Sequence, residues 1–399
     1  MKQDFFHNNR KKLASVLGDD VVVLSAYRSM QRNNDSAFAF EQEANFWYLT
    51  GIEVPDWWVI IDGKSAKSWL AMPDVDKVHQ IFDGSLDEKI AKQISGVEDV
   101  IGQSEALNML CERARANNTV YTLGKDPRAK DYDFVLNSTQ AAMEKRLKSI
   151  FKNVKDCRGE LAKLRAIKQP DEIDAIKKAV GLTVKTFQDV KKKLPKLRYE
   201  YEVEAEFSYH FRKNGAKGHG YDPIVASGKN ACTLHYNDNS EILTNNSLLL
   251  LDVGARVDGY VADISRTYVV GKPTVRQIAV HDAVQKAHQE IVSLLKPGLL
   301  VSEYQKRVDK IMKSALARLN LLNTPDDYRK YFPHAVSHGL GIDVHDSLGG
   351  PSEFLSGMVV TVEPGIYIPE EAIGVRIEDD ILITQTGNIN LSGSLSTSL

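Results

Sequence analysis

The sequence predicts two domains, an α/β domain over residues 1–157 and an α+β domain over residues 158–399, and three observations carry that expectation. Strand-like pieces alternate with helical periodicities through the first part, which is the α/β signature. In the second part helices come in pairs and strands gather apart from them, as in an α+β fold with a mostly antiparallel sheet. The third observation is length, because 399 residues exceed what one hydrophobic core usually serves.

From the N-terminus, Phe5, Phe6, Leu13, Val16 and Leu17 mark a short helix that stops at Gly18, and 21–24 follows as a buried strand. Aromatics then cluster over 31–51 and end in an extended segment at 46–50. All four tryptophans (Trp47, Trp57, Trp58 and Trp69) lie in the first seventy residues and read as core or interface packing. Strands at 58–61, 69–72 and 120–123 alternate with helices at 86–94, 104–116 and 134–151. This half has two histidines, His7 and His79, and no spaced set of ligand-type residues. It reads as a supporting or lid-forming domain.

The texture changes over 155–165, which places the boundary near Cys157. Gln169-Pro170-Asp171-Glu172 opens a helix with proline at its start and acids in its first turn, and Ile173, Ile176, Val180, Val184, Phe187 and Val190 recur at helical spacing. A second helix covers 202–213. Extended segments are expected at 223–227, 233–236 and in a hairpin over 248–270. Two long helices follow, at 274–295 and at 302–320, the latter capped by Ser302. Strands return at 357–363, 366–368 and 375–384, and the final SGSLSTSL reads as a frayed tail.

Composition excludes several classes of function. The chain is 43% hydrophobic and 26% charged, with 51 basic against 53 acidic residues. There is no basic block for nucleic acid and no polybasic arm for membranes. The three cysteines, Cys111, Cys157 and Cys232, are odd in number and in no C-x-x-C arrangement, so neither a disulfide framework nor a zinc knuckle is indicated. A cytoplasmic location is expected. The polar start MKQDFFHNNRKKLASVLGDD has no apolar leader segment, and no run reaches the roughly 18 apolar residues of a membrane helix.

The chemistry concentrates in 248–270, LLLLDVGARVDGYVADISRTYVV. Asp-Gly between two apolar runs is a hairpin signal, and residue parity puts Asp252 and Asp263 on one face, within reach of one another. Paired carboxylates in apolar surroundings must hold a proton or find a cation, unless one of them points to solvent at the hairpin end. Downstream, PHAVSHGLGIDVHD holds His334, His338 and His345, VVTVEPGIYIP holds Glu363, and GVRIEDDILIT holds Glu378. Taken singly, each has a plain structural reading: His334 or His345 as a core histidine, Glu378 as the partner of Arg376 or Arg266. Taken together, four carboxylates and one imidazole make an oxygen-rich set whose charge balances two divalent cations. Hard oxygen ligands favour Mn²⁺, with Co²⁺, Fe²⁺ and Zn²⁺ also compatible. Two such ions bridging a water fit hydrolysis.

These residues, in the settings LDVGA, GYVADISRT, SHGLGIDVHD, VEPGIY and VRIEDD, resemble the pita-bread metallopeptidases. Within that family the chain is most similar to the aminopeptidase P branch, with prolidase the close relative. The likeness extends to NNDSAFAFEQEANFWYLTG, similar to the creatinase/prolidase-like N-terminal domain, and to LAKLRAIKQPDEIDAIKKA before the catalytic domain. The resemblance implies an α/β N-terminal domain and a catalytic domain with a curved, mostly antiparallel sheet. It implies Asp252, Asp263, His338, Glu363 and Glu378 as metal ligands, with Asp263 and Glu378 bridging two ions and Glu363 also acting as general base. His235, in TLHY, matches a histidine near the scissile bond, and His345 one that steadies the tetrahedral intermediate. His334 and Arg376 match residues that shape the prolyl pocket and hold the ligand shell.

The activity implied is release of the N-terminal residue from peptides with proline second. Prolidase action on Xaa-Pro dipeptides is the near alternative, and a non-catalytic pita-bread binding protein or a metal-free creatinase-like enzyme the remoter ones. A homodimer or homotetramer acting on peptides is implied, with no nucleic-acid or membrane partner. Glu41 after Phe40, and HQIFDGSLDE, depart from the family pattern in regions that face a neighbouring subunit in relatives.

Overall fold

The computed structural model describes residues 1–125 and 135–399, which form two units, Met1–Leu164 and Arg165–Leu399. The division falls within helix Arg158–Ala166, just past the Cys157 boundary read from the sequence.

The first unit holds strands β1 (Val21–Ser25), β2 (Gln31–Asn33), β3 (Ser36–Ala37), β4 (Trp58–Asp62), β5 (Lys67–Met72), β6 (Asp99–Gly102), β7 (Thr119–Thr122) and β8 (Asn153–Asp156). Six of them make a mixed sheet in the order β6-β5-β4-β1-β7-β8. Its centre is antiparallel (β1/β4, β4/β5), with parallel pairs at β5/β6, β1/β7 and β7/β8. The near-continuous apolar runs of β1 and β4 are explained by burial along their whole length. Helices Gln103–Ala116 and Thr139–Lys148 cover one face, where Ala106, Leu110, Met143 and Leu147 pack on Val21, Val23, Trp58 and Ile60. The start expected for the last helix, at 134, lies outside the described residues.

One expectation here is overturned. Residues 46–50 are not extended but lie in helix Ala44–Thr50, whose seven residues are all buried. Glu43 caps it by accepting from the Phe46 N–H at 2.7 Å, and Gly51 ends it at φ +70°. Aromatic residues favour strands only where they have a pleated surface to pack on. Here Tyr48 and Trp47 meet the rings of Phe5 and Phe6 on helix Gln3–Leu17 instead, so packing and caps override propensity.

The second unit holds β9 (Gly218–His219), β10 (Ile224–Ser227), β11 (Ser247–Asp252), β12 (Ala255–Val257), β13 (Tyr260–Val261), β14 (Ser265–Val270), β15 (Val359–Val362), β16 (Gly365–Ile368), β17 (Ile373–Arg376), β18 (Asp379–Ile383) and β19 (Asn388–Asn390). Every pairing among the described strands of this unit is antiparallel. They form short sheets, β10-β11-β14, β13-β12-β9, β15-β18-β19 and β16-β17. Helices Val275–Leu294 and Val301–Arg318 bury Val280, Val284, Ile291, Val308 and Met312 against Val360, Val362, Ile366, Val375 and Ile381. Helix Pro170–Lys193 starts as expected, with Pro170 in the first turn and Glu172 accepting from the Gln169 N–H at 2.9 Å.

Four local expectations fail in this unit. Residues 233–236 form a turn after the 3₁₀ helix Gly228–Cys232 rather than a strand. Ser302 caps nothing, because helix Val301–Arg318 already begins before it, with Leu300 at the N-cap position; Thr274 does cap its helix, through Gln277. The run 375–384 is broken between β17 and β18, leaving Ile377 and Glu378 outside regular strand. The C-terminal stretch is tied down rather than frayed, with Ser392 and Leu395 buried. No helix among the described residues is long and apolar enough to cross a membrane.

Candidate metal centre

The hairpin turns at Asp258-Gly259, both at positive φ (+52° and +85°), the two-residue turn that Asp-Gly favours. β14 pairs with β11 so that Asp252 lies opposite Ser265. Between the two paired regions the strands cross loosely, through Val253 N–H to the Ile264 carbonyl (3.1 Å) and Ala262 N–H to the Ala255 carbonyl (3.1 Å). Asp263 sits in this irregular part. The Tyr221 hydroxyl lies 2.6 Å from Asp252 Oδ1 and 2.6 Å from Asp263 Oδ1, so the two carboxylates are no further apart than two hydrogen bonds end to end.

His338 is carried on a segment that pairs with β15: its carbonyl accepts from Thr361 N–H (3.0 Å) and its own N–H donates to Thr361 Oγ1 (3.1 Å). Its Nδ1 is 3.0 Å from the Gly339 carbonyl, which leaves Nε2 facing Asp263 Oδ2 at 3.5 Å and Glu363 Oε1 at 3.4 Å. Glu363 follows β15, its N–H bonded to the Val336 carbonyl at 2.9 Å. Glu378 occupies the break before β18, its N–H on the Ser265 carbonyl (3.0 Å) and its Oε2 accepting from Ser265 Oγ (2.8 Å). Asp263, His338 and Glu378 each offer one ligand atom, all within 4.8 Å of one another.

Arg376 is buried, and ties the set together through Asp252 Oδ2 (2.5 Å), Tyr367 Oη (2.8 Å) and Ser265 Oγ (2.9 Å). Glu378 therefore pairs through its side chain with neither arginine considered from the sequence. Arg266 goes to Asp379 (2.6 Å) and only to the backbone carbonyl of Glu378. His334 lies 3.5 Å from Glu363 and 2.8 Å from Tyr367 Oη, and the exposed His345 sets its ring edge-on to His338, centroids 4.4 Å apart. His235 is exposed on the turn after Gly228–Cys232, and no hydrogen bond or ion pair joins it to the carboxylates among the described residues.

Electrostatics make the cluster unusual. Burial holds the Glu363 carboxyl up to about 7, against the pull of His338 and Arg376. Burial and neighbouring carboxylates raise Asp263, and raise Glu378 far above the ordinary range. Burial opposes protonation of His338, yet Asp263 and Glu363 hold it up to about 9, whereas burial and Arg376 push His334 down to about 4. Four carboxylates thus share a buried site with one guanidinium and one imidazole, an arrangement that must hold protons or take up cations.

Tyr221 gives an independent sign of the same need. A phenol has one proton, so it can donate to only one of the two oxygens it touches; the second close approach requires another proton or a cation nearby. An oxygen-rich set with one imidazole suits hard divalent ions, and the residues present fit them.

Tyr221, Tyr367, Ser265 and Asp380 were not found from the sequence. Asp380 is buried beside the cluster, with Oδ2 accepting from the Asp263 N–H at 3.1 Å and Oδ1 without a partner. It had a signal, as a further acid in the apolar run RIEDDILI. The tyrosines and the serine had none, because nothing in their spacing separates them from ordinary core polar groups.

The sequence profile of Metallopeptidase family M24 matches residues 174–385, and that of the aminopeptidase P N-terminal domain matches residues 6–121. The chain is 32% identical to a Xaa-Pro aminopeptidase of Escherichia coli, over 99% of this chain and 95% of the relative. It is 30% identical to one of Haemophilus influenzae, over 99% and 95%. Its fold is similar to that of E. coli aminopeptidase P with the inhibitor Pro-Leu, with a TM-score of 0.86 and 28% identity, covering 100% of this chain and 96% of the other.

Proposed function

The chain belongs to metallopeptidase family M24, and from that premise we propose that it is an Xaa-Pro aminopeptidase, which releases the N-terminal residue of peptides whose second residue is proline. The carrying observation is the convergence of Asp252, Asp263, His338, Glu363 and Glu378 from four separate segments on one buried site, in a chain whose relatives over nearly full length are named for that activity.

In this reading the five residues hold two divalent metal ions, Mn²⁺ first, with Co²⁺, Zn²⁺ or Fe²⁺ also fitting the donor set. When bound, the ions supply Lewis acidity at the scissile carbonyl and make water nucleophilic at neutral pH. The chain's own groups do the rest. A Glu363 carboxylate oxygen takes the proton of the attacking water as general base. Arg376 and Tyr221 hold Asp252 and Asp263 in place. His235 and His345 face the substrate at the scissile bond, and His334, packed on Tyr367, shapes the prolyl pocket with Arg376.

A prolyl bond suits a dedicated enzyme because its nitrogen has no N–H and its ring fixes φ, so a cleft that binds peptides as an added strand loses a hydrogen bond there. We extend the reading to a cytoplasmic homodimer or homotetramer. The three cysteines, which form no disulfide, support the compartment, and the likeness to the family supports the oligomer.

The test is turnover of EDTA-stripped, Mn²⁺-reloaded protein on an Xaa-Pro dipeptide and an Xaa-Pro-Yaa tripeptide. Cleavage of the tripeptide at the Xaa-Pro bond is expected. Cleavage of the dipeptide alone makes the protein a prolidase, and cleavage of neither sinks the peptidase reading.

A further inference from the structure

Helix Glu200–Lys213 begins with an acid that never reaches water: Glu200 has 0% of its surface exposed. Its Oε1 accepts from the Ser227 N–H (2.7 Å), from Ser227 Oγ (2.7 Å) and from Asn230 Nδ2 (3.3 Å). Its Oε2 accepts from Tyr236 Oη (2.8 Å) and the Glu241 N–H (2.9 Å). The Glu200 N–H, left without a partner inside the helix, donates to the Glu241 carbonyl at 3.0 Å. One turn along the same face, Glu204 accepts from Asn239 Nδ2 at 2.9 Å. Asn239 is itself buried at φ +46°, and its Oδ1 accepts from the Val225 N–H.

Every side-chain bond of Glu200 therefore ends between residues 227 and 241, and no lysine or arginine among the described residues pairs with it. A buried carboxylate without a counter-charge is costly. Five converging donors offset that cost, and because a carboxylate only accepts, it dictates the direction of each donor. The opposite side of the segment is closed as well. Cys232 Sγ donates to the Ile373 carbonyl at 3.4 Å, and a Cβ at Gly374 would overlap the Ala231 backbone. Ile373 and Gly374 belong to β17, the strand that ends in the Asp252 partner Arg376. The clamped segment carries His235, next to the Glu200 partner Tyr236.

We propose that Glu200 is a positioning residue for catalysis, acting through His235 by holding the 227–241 segment in one arrangement. The proposal rests on the role given above to His235. A merely structural carboxylate would cost stability when replaced, and its effect on turnover would be independent of His235.

The test is a double-mutant cycle of Glu200→Gln and His235→Ala in the full-length, Mn²⁺-loaded protein, measuring kcat and KM on an Xaa-Pro-Yaa tripeptide together with metal content. Glutamine keeps the size of the side chain but presents a donor where donors converge. Each single variant should lose roughly ten- to hundred-fold in kcat, with KM and metal content unchanged, because misplacement by about 1 Å costs on that order. The double variant should turn over no more slowly than His235→Ala alone.

Losses that multiply in the double variant overturn the proposal, as does an unaltered kcat in Glu200→Gln. Near-normal turnover of His235→Ala removes the role of His235 itself and the proposal with it, so the two failures are told apart by which single variant is silent. Should Glu200→Gln not fold, Tyr236→Phe, which deletes one hydroxyl from the clamp, takes its place in the cycle with a smaller loss and the same outcomes.

Discussion

A single hydroxyl at Tyr221 faces two carboxylates, while at His219, two residues earlier, burial outweighs the pull of the Glu204 and Asp222 carboxylates. His219 shares a 2.7 Å hydrogen bond between Nε2 and Ser208 Oγ, its Nδ1 is buried without a partner, and burial lowers its pKa from 6.5. The unfolded chain takes up this proton near pH 6.5 and the folded one only at lower pH. The unfolded state thus binds more protons as pH falls. The contribution of His219 to stability is present above pH 6.5 and is lost progressively below it. The melting temperature should fall between pH 7.5 and 5.5, and His219→Gln should flatten that slope; an identical slope in the variant assigns it to other groups. At this scale the acids stood out as polar residues set into apolar runs, and His338 only as a ligand-type residue in SHGLGIDVHD. Tyr221 and Tyr367 were not, because a buried phenol looks the same in sequence whether it packs or donates.

Between single residues and the whole fold, the loose crossing between Asp252 and Asp263 carries most consequence. A side chain at Gly254 would run into the backbone oxygen of Ala262, a neighbour that cannot swing away. Gly254→Ala should force the two strands apart, destabilise the unit by about 1–3 kcal/mol through overpacking and weaken Mn²⁺ binding. Thermal unfolding and metal titration would check this, and normal values for both would show that the crossing tolerates the shift. The hairpin, the proline-led start of helix Pro170–Lys193 and the α+β order were readable from period and turn chemistry, whereas the cap expected at Ser302 was not. The helix at Ala44–Thr50 and the break at Ile377-Glu378 were not. Both depend on what packs against the segment rather than on its own residues.

On the scale of the whole molecule, the catalytic unit closes on its own C-terminal stretch. Arg266 spreads its guanidinium over Ser265 O (2.9 Å), Glu378 O (2.7 Å), Asp379 Oδ1 (2.6 Å), Leu395 O (3.0 Å) and Ser396 O (3.1 Å). Two of these acceptors belong to the last residues of the sequence, and two to residues beside or within the candidate ligand set. Deleting residues 394–399 should remove two hydrogen bonds from the Arg266 guanidinium, at about 1.5–3 kcal/mol each for a charged donor. It should lower the melting temperature and weaken metal binding through the loosened Glu378 segment. A truncated protein that melts and binds Mn²⁺ like the full chain would show the stretch to be dispensable.

By itself the sequence determined the two-domain order, the antiparallel character of the second unit and the acids and histidines that resemble a metallopeptidase centre. Periodicity, turn residues and polar groups misplaced in apolar runs are local properties of a chain. Only the tertiary structure decided that Arg376 goes to Asp252 rather than to Glu378, that Tyr221 touches both aspartates and that Glu200 clamps the segment bearing His235. Those pairings join residues far apart in the chain. They are selected by which donors and acceptors are buried together, and no local pattern records that.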